Sequence, residues 1–312
     1  MLNSMVRQSG FRRRLTQSLK KHWILYLLLV IPLVYITIFA YTPMVGLLMA
    51  FEDYRPTRGI FGSKWVGLKH FKRFLTMPIF TTLLKNTIVI SLYSLVAGFP
   101  LPIILALAIN EVRSTKLKKV VQMISYAPYF ISTVVMVGIL MQFFSVQFGP
   151  VNIVRRMMGM SAINFMGEQS MFRSIYVWSG VWQGSGYGAV IYIAAIAGID
   201  PQLHEAALID GANRFQRLYH VDIPSILPTV VIMLIMNCGS IMSVGYEKIY
   251  LMQNSLNTSV SEVISTYVYK VGLQEAQYSF SAAVGMFNSV VNFLLLVLVN
   301  GISRHVSETS LW

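Results

Sequence analysis

The sequence predicts an all-α integral membrane protein with six transmembrane helices, and three observations lead there. Of 312 residues, 55% are hydrophobic and only 12% are charged, about half the charge of a typical soluble domain. Six charge-free runs, at 23–51, 86–110, 120–154, 174–199, 223–246 and 276–303, each exceed the roughly 20 residues that a helix needs to cross a bilayer core of about 30 Å. Backbone polar groups in lipid have to be satisfied within their own segment, so such runs become helices rather than open sheets.

Taken in order, a basic tail at 1–22 carries Arg7, Arg12, Arg13, Arg14, Lys20 and Lys21, which places it in the cytoplasm. Arg13-Arg14 reads as an ordinary anchor rather than a twin-arginine export signal. Span one, 23–51, is too long for a signal-peptide core and lacks an A-x-A site, so it is expected to stay uncleaved. The loop after it lies outside by this topology, yet holds Arg55, Arg58, Lys64, Lys69, Lys72, Arg73 and Lys85. Leu68, Phe71, Phe74 and Leu75 share one helical face there, as in a helix lying on the membrane surface. The same charges also suit an acidic oligosaccharide, and lipid contact explains them equally well.

Span two, 86–110, is followed by an inner link containing Arg113, Lys116, Lys118 and Lys119. Span three occupies 120–148, broken at Phe148-Gly149-Pro150 before a re-entrant or extracellular stretch. Span four, 174–199, contains Gly184-Ser185-Gly186-Tyr187-Gly188, with no preceding strand for a dinucleotide loop; close helix contact or a kink is its expected role. Span five, 223–246, holds the single cysteine, Cys238, a small buried hydrophobe. Span six, 276–303, leads to a cytoplasmic tail at 304–312. No repeat, low-complexity stretch or long polar linker divides 23–303, so one membrane domain is expected. The net charge of +13 serves orientation and contact with anionic lipid, not nucleic acid.

One polar stretch, 200–228, is more specific than the rest. Asp200-Pro201 is a helix start, with an aspartate cap and proline at the first helical position. Gly211 stands where helices end on a left-handed residue. Ala206 and Ala207 allow close approach to one face, and Glu205 offers a charge to a cationic partner. Asn213 can cap a second short helix through Tyr219, which Pro224 and Pro228 end at the start of span five. The product is a helix–turn–helix elbow across the cytoplasmic mouth. More than twenty residues is long for a plain connector in a bundle; a docking surface uses the features better.

These residues carry a family resemblance. Glu205-Ala206-Ala207, Asp210-Gly211-Ala212, Ile223-Pro224 and Pro228 resemble the EAA motif of permease subunits in binding-protein-dependent ABC importers. Trp65-Val66-Gly67-Leu68-Lys69-His70-Phe71, Lys85-Asn86-Thr87 and Ala197-Gly198-Ile199-Asp200-Pro201 resemble the maltose-type carbohydrate-uptake branch. The resemblance implies a type I importer permease fold in a prokaryotic cell membrane, with a coupling helix seated in a cytoplasmic ATPase. Glu205 would meet a basic residue there, Ala206 and Ala207 would permit close seating, and Gly211 would set the bend. It further implies a second permease in a heterodimer, two ATPase subunits, an extracytoplasmic sugar-binding protein, and a sugar or oligosaccharide substrate. Rocking between inward- and outward-facing states would carry the cargo.

Other chemistry is sparse. No Gly-Lys pair occurs anywhere, so a G-x-x-x-x-G-K-[ST] phosphate loop is missing. The chain is expected to bind no cofactor and not to be an enzyme; ATP and magnesium belong to a partner. His204-Glu205-Ala206-Ala207-Leu208 lacks the second histidine of a zinc-protease helix. Every charged residue falls at a span edge, in a loop or in a tail, which argues against an ion-coupled secondary transporter; an importer of a non-sugar solute is the nearer alternative. Neutral polar and aromatic groups suit a polyhydroxylated cargo, so Trp178, Trp182, Gln183, Tyr187, Asn237, Asn288 and Asn292 are the expected path residues. For each, an interfacial belt or helix–helix hydrogen bonding is the competing use.

Overall fold

The computed structural model describes residues 20–307. The expected tail cations Arg7, Arg12, Arg13 and Arg14 lie outside the described residues, as does most of the 304–312 tail. Two compact units, divided after Leu68, make up the chain.

In the first unit, α1 (Trp23–Ile36) continues through a π-helical turn at Thr37–Tyr41 and a 3-10 stretch at Thr42–Phe51. The unbroken run is 29 residues and apolar enough to cross a membrane. No residue of α1 is buried, as befits a helix whose apolar solvent is lipid. The π turn has a local cause. Pro43 brings no N–H and crowds the preceding turn, and just before it the Thr42 amide reaches back five residues to the Thr37 carbonyl, widening the helix locally. After the run, β1 (Glu52–Asp53) pairs antiparallel with β2 (Lys64–Trp65), and Phe51 stacks on Trp65 at 5.5 Å. The all-α expectation thus needs this small ribbon added.

The second unit opens with α2 (Lys69–Thr76). Of its apolar face Phe74 is buried, meeting Phe80 and Phe287 edge-on at 5.1 and 5.5 Å, while Leu75 stays exposed. Helices α3 (Ile79–Gly98) and α4 (Pro100–Asn110) form one run of 32 residues. Next, α5 (Thr115–Tyr126) and a 3-10 turn at Ala127–Phe130 meet α6 (Thr133–Phe143) at 97°. Span three is therefore broken at Ile131-Ser132 as well; α6 ends at Phe143 and the next helix starts at Pro150, so the expected break at Phe148-Gly149-Pro150 is also present. Pro128 forces the tightened turn, and Ser132 caps the restart by accepting from the Val135 amide. Beyond it, α7 (Pro150–Met157) is pinned by buried Asn152, which donates to the carbonyls of Ser145 and Ile163.

Helix α8 (Gln169–Ala197) spans 29 residues. Next come α9 (Pro201–Ile209), α10 (Arg214–Arg217) and α11 (Ile223–Gly239). The segment between spans five and six folds inward as α12 (Tyr246–Met252) and α13 (Ile264–Tyr269), burying Ile249, Met252, Val263 and Ile264. Its Glu262, also buried, pairs with Lys270 at 2.6 Å, so charge does enter the protein interior. Finally α14 (Tyr278–Ser307) closes the chain. Among the described residues, four runs are long and apolar enough to span a membrane, and the bent pair makes a fifth. The remaining expected span, span four (α8), is long enough but polar and glycine-rich, which keeps it below the others in apolarity.

Candidate functional site

Two regions concentrate chemistry. The first is the elbow at 200–228. Asp200 accepts a hydrogen bond from the Gln202 amide at 3.0 Å, and Pro201 takes the first helical position of α9. At the other end the Ala212 amide donates to the Ala207 carbonyl at 2.9 Å and the Gly211 amide to the Leu208 carbonyl at 3.1 Å. Gly211 has φ +81°, so this is a Schellman termination requiring a left-handed residue. Asn213 and Gln216 then form a reciprocal capping box on α10. Both ends of α9 are thereby fixed by hydrogen bonds within the loop.

What α9 presents is open to solvent. Glu205, Ala206 and Asp210 are exposed, and Ala207 and Ala212 are half-buried. Sequence reasoning passed over the apolar residues beside them: Ile209 is 86% and Phe215 84% exposed. These large apolar side chains stand bare on a polar loop, and their presence outside any apolar run was the available signal. Only His204 reaches inward, its Nε2 lying 3.5 Å from a carboxylate oxygen of buried Asp222. That contact ties α9 to the foot of α11.

The elbow's second arm differs from expectation. Pro224 and Pro228 do not end a short helix; helical structure runs unbroken over 26 residues from Arg214 to Gly239. A π turn at Leu218–Asp222 lets the Ile223 amide reach the Leu218 carbonyl just before Pro224, the same device seen before Pro43. Ile223 is half-buried and Pro224 exposed on an arm continuous with span five.

The second region is a cavity of about 520 Å³ among α3, α4, α8, α11 and α12. Of the expected path residues, Gln183 and Asn237 line it. Gln183 is partly committed, donating to the Ile131 carbonyl at 2.7 Å. Trp178 donates to the Tyr93 hydroxyl at 2.9 Å, and Tyr187 stacks on Tyr129 at 4.0 Å. Neither they nor exposed Trp182 are among its walls. Asn292 holds the chain after span five, accepting from the Met242 amide and donating to the Ser243 hydroxyl. Asn288, also away from the walls, has a buried carbonyl oxygen without a protein partner. The glycine-rich run makes close helix contacts: a β-carbon on Gly186 would overlap the Ser125 carbonyl, and one on Gly188 would stand 3.2 Å from Pro102.

The cavity's single charged wall residue was not foreseen. Lys248 on α12 donates from Nζ to the Tyr176 carbonyl at 3.0 Å, and Nζ lies 4.9 Å from the Tyr176 ring centroid. Burial pushes its pKa down to about 8. Sequence alone puts Lys248 two residues beyond a span, where a cation reads as solvated; only the inward fold of 240–276 brings it here. Among the described residues no group of three or more metal-ligating side chains occurs.

Comparison with known proteins adds three findings. Residues 98–308 match the family described as binding-protein-dependent transport system inner membrane component. The chain is 40% identical to the polygalacturonan/rhamnogalacturonan transport system permease protein YteP of Bacillus subtilis (strain 168), over 96% of this chain and 94% of that one. It is 26% identical to the arabinooligosaccharides transport system permease protein AraP of the same organism, over 88% and 84%. Among solved structures it resembles a chain of a bacterial alginate ABC transporter in complex with alginate pentasaccharide-bound periplasmic protein. That match has a TM-score of 0.87 and 38% identity, covering 96% of this chain and all of that one.

Proposed function

Since this chain belongs to the binding-protein-dependent transport system inner membrane component family, we propose that it is the permease subunit of an ATP-driven importer for a sugar or oligosaccharide. It is a multi-pass membrane protein. Names of its relatives support a carbohydrate cargo, and the alginate complex supports delivery by an extracytoplasmic binding protein. A second permease completes the path, in a heterodimer. Two cytoplasmic ATPase subunits bind ATP and magnesium, while this chain binds no cofactor and catalyses no reaction. Both termini face the cytoplasm.

The observation carrying this reading is α9: a helix capped at both ends, with Glu205, Ala206 and Ile209 exposed and bare Phe215 beyond its end. A helix held rigid by its own caps transmits displacement instead of absorbing it. Glu205 meets a basic group of the ATPase, Ala206 and Ala207 let the cleft close on the helix, and Asp210, Gly211 and Ala212 hold its end. Ile223, Pro224 and Pro228 carry the motion into span five through one helical arm. Closure of the ATPase pair then switches the path between outward- and inward-facing states. Changing Glu205→Lys should abolish uptake and co-purification of the ATPase while leaving membrane insertion intact. Uptake at the wild-type rate in that variant would sink the coupling role.

A further inference from the structure

The cavity chemistry narrows the cargo, given the importer reading above. Lys248 is the only charged side chain on its wall, and no carboxylate among the described residues lies within 4 Å of its ammonium. The Tyr176 carbonyl takes one of its three donor positions. Gly180, one turn along α8, leaves room for the group: a β-carbon there would stand 3.3 Å from Nζ. Around it the wall offers neutral hydrogen-bonding groups, among them Ser94, Asn237 and Ser240. Buried Ser91 also faces this space, its hydroxyl without a protein partner. At about 520 Å³ the cavity falls within the roughly 300–1,000 Å³ of ligand sites.

We propose that Lys248 binds the carboxylate of an acidic sugar unit, so that this cavity selects uronate-containing oligosaccharides over neutral ones. A half-buried cation without a counter-charge carries part of its desolvation cost uncompensated, and a carboxylate in contact makes a strong charge-assisted hydrogen bond. The hydroxyls of a sugar ring meet the neutral groups around it. A neutral oligosaccharide would have to cover the ammonium without neutralising it.

The test uses the purified permease–ATPase complex without the binding protein, so that selectivity of delivery does not enter. Labelled digalacturonate and its carboxyl-reduced neutral counterpart are compared by equilibrium dialysis. Wild type should bind the acidic disaccharide about 10-fold more tightly. Lys248→Gln should remove that preference. Lys248→Arg should keep most of it. Equal affinity for the two sugars in wild type would overturn the inference alone, as would an undiminished preference in Lys248→Gln. A loss of both affinities in Lys248→Gln would make the residue structural and overturn it as well. Binding of neither sugar by wild type would also remove the carbohydrate reading on which it rests.

Discussion

At the scale of single residues, two glycines are demanded by geometry, for different reasons. Gly186 lets α8 lie directly on the Ser125 backbone. Because the obstacle is backbone, Gly186→Leu should cost at least the 1–3 kcal/mol of ordinary overpacking. A fall in the detergent melting temperature would register it. Gly138→Ala, with nothing within 4 Å of the new carbon, should leave that temperature unchanged. Gly211 has open space around it but φ +81°, so its constraint is conformational. Gly211→Val should destabilise the end of α9 by about 1–2 kcal/mol, read as faster amide exchange at Ala212 and as reduced uptake with normal insertion. The close-packing role of the glycine-rich run was legible because such residues have few other uses in a spanning helix. Lys248 was not, since its burial depends on residues far away in sequence.

At the scale of elements, α9 was the most legible. Its start at Asp200-Pro201 and its end at Gly211 rest on local hydrogen bonds, and local chemistry is what a sequence displays. The second arm was misjudged at Pro224. A proline ordinarily breaks a helix, but the π turn at Leu218–Asp222 shifts the hydrogen bonding in front of it and keeps one arm from Arg214 to Gly239. The break at Phe148-Gly149-Pro150 was legible from its glycine and proline, whereas the earlier one at Ile131-Ser132 was missed because Pro128 acts through a 3-10 turn without any glycine. The inward fold of 240–276 showed no apolar run long enough to notice. The His204–Asp222 contact joins the two arms of the elbow at 3.5 Å. Asp222→Ala should therefore lower transport-coupled ATP hydrolysis relative to basal hydrolysis, with α9 still folded. An unchanged coupling ratio would mean the contact only packs the foot of α11.

At the scale of the whole molecule, the 312 residues hold no Gly-Lys pair, so the importer reading requires energy from another polypeptide. Import into membrane vesicles should persist after ionophores collapse the ion gradients and should stop when ATP is withheld. The reverse pattern would favour a gradient-driven carrier, for which Glu262 and Lys270, paired at 2.6 Å, would become the first residues to examine. Lys248 bears on a different hazard. A protein that opens a wet route through a membrane endangers the proton and sodium gradients the cell lives on. A positive charge on the wall of such a route raises an electrostatic barrier to small cations, so on the importer reading the ammonium beside Tyr176 would also make the cavity a poor leak for the ions whose loss would do the most damage.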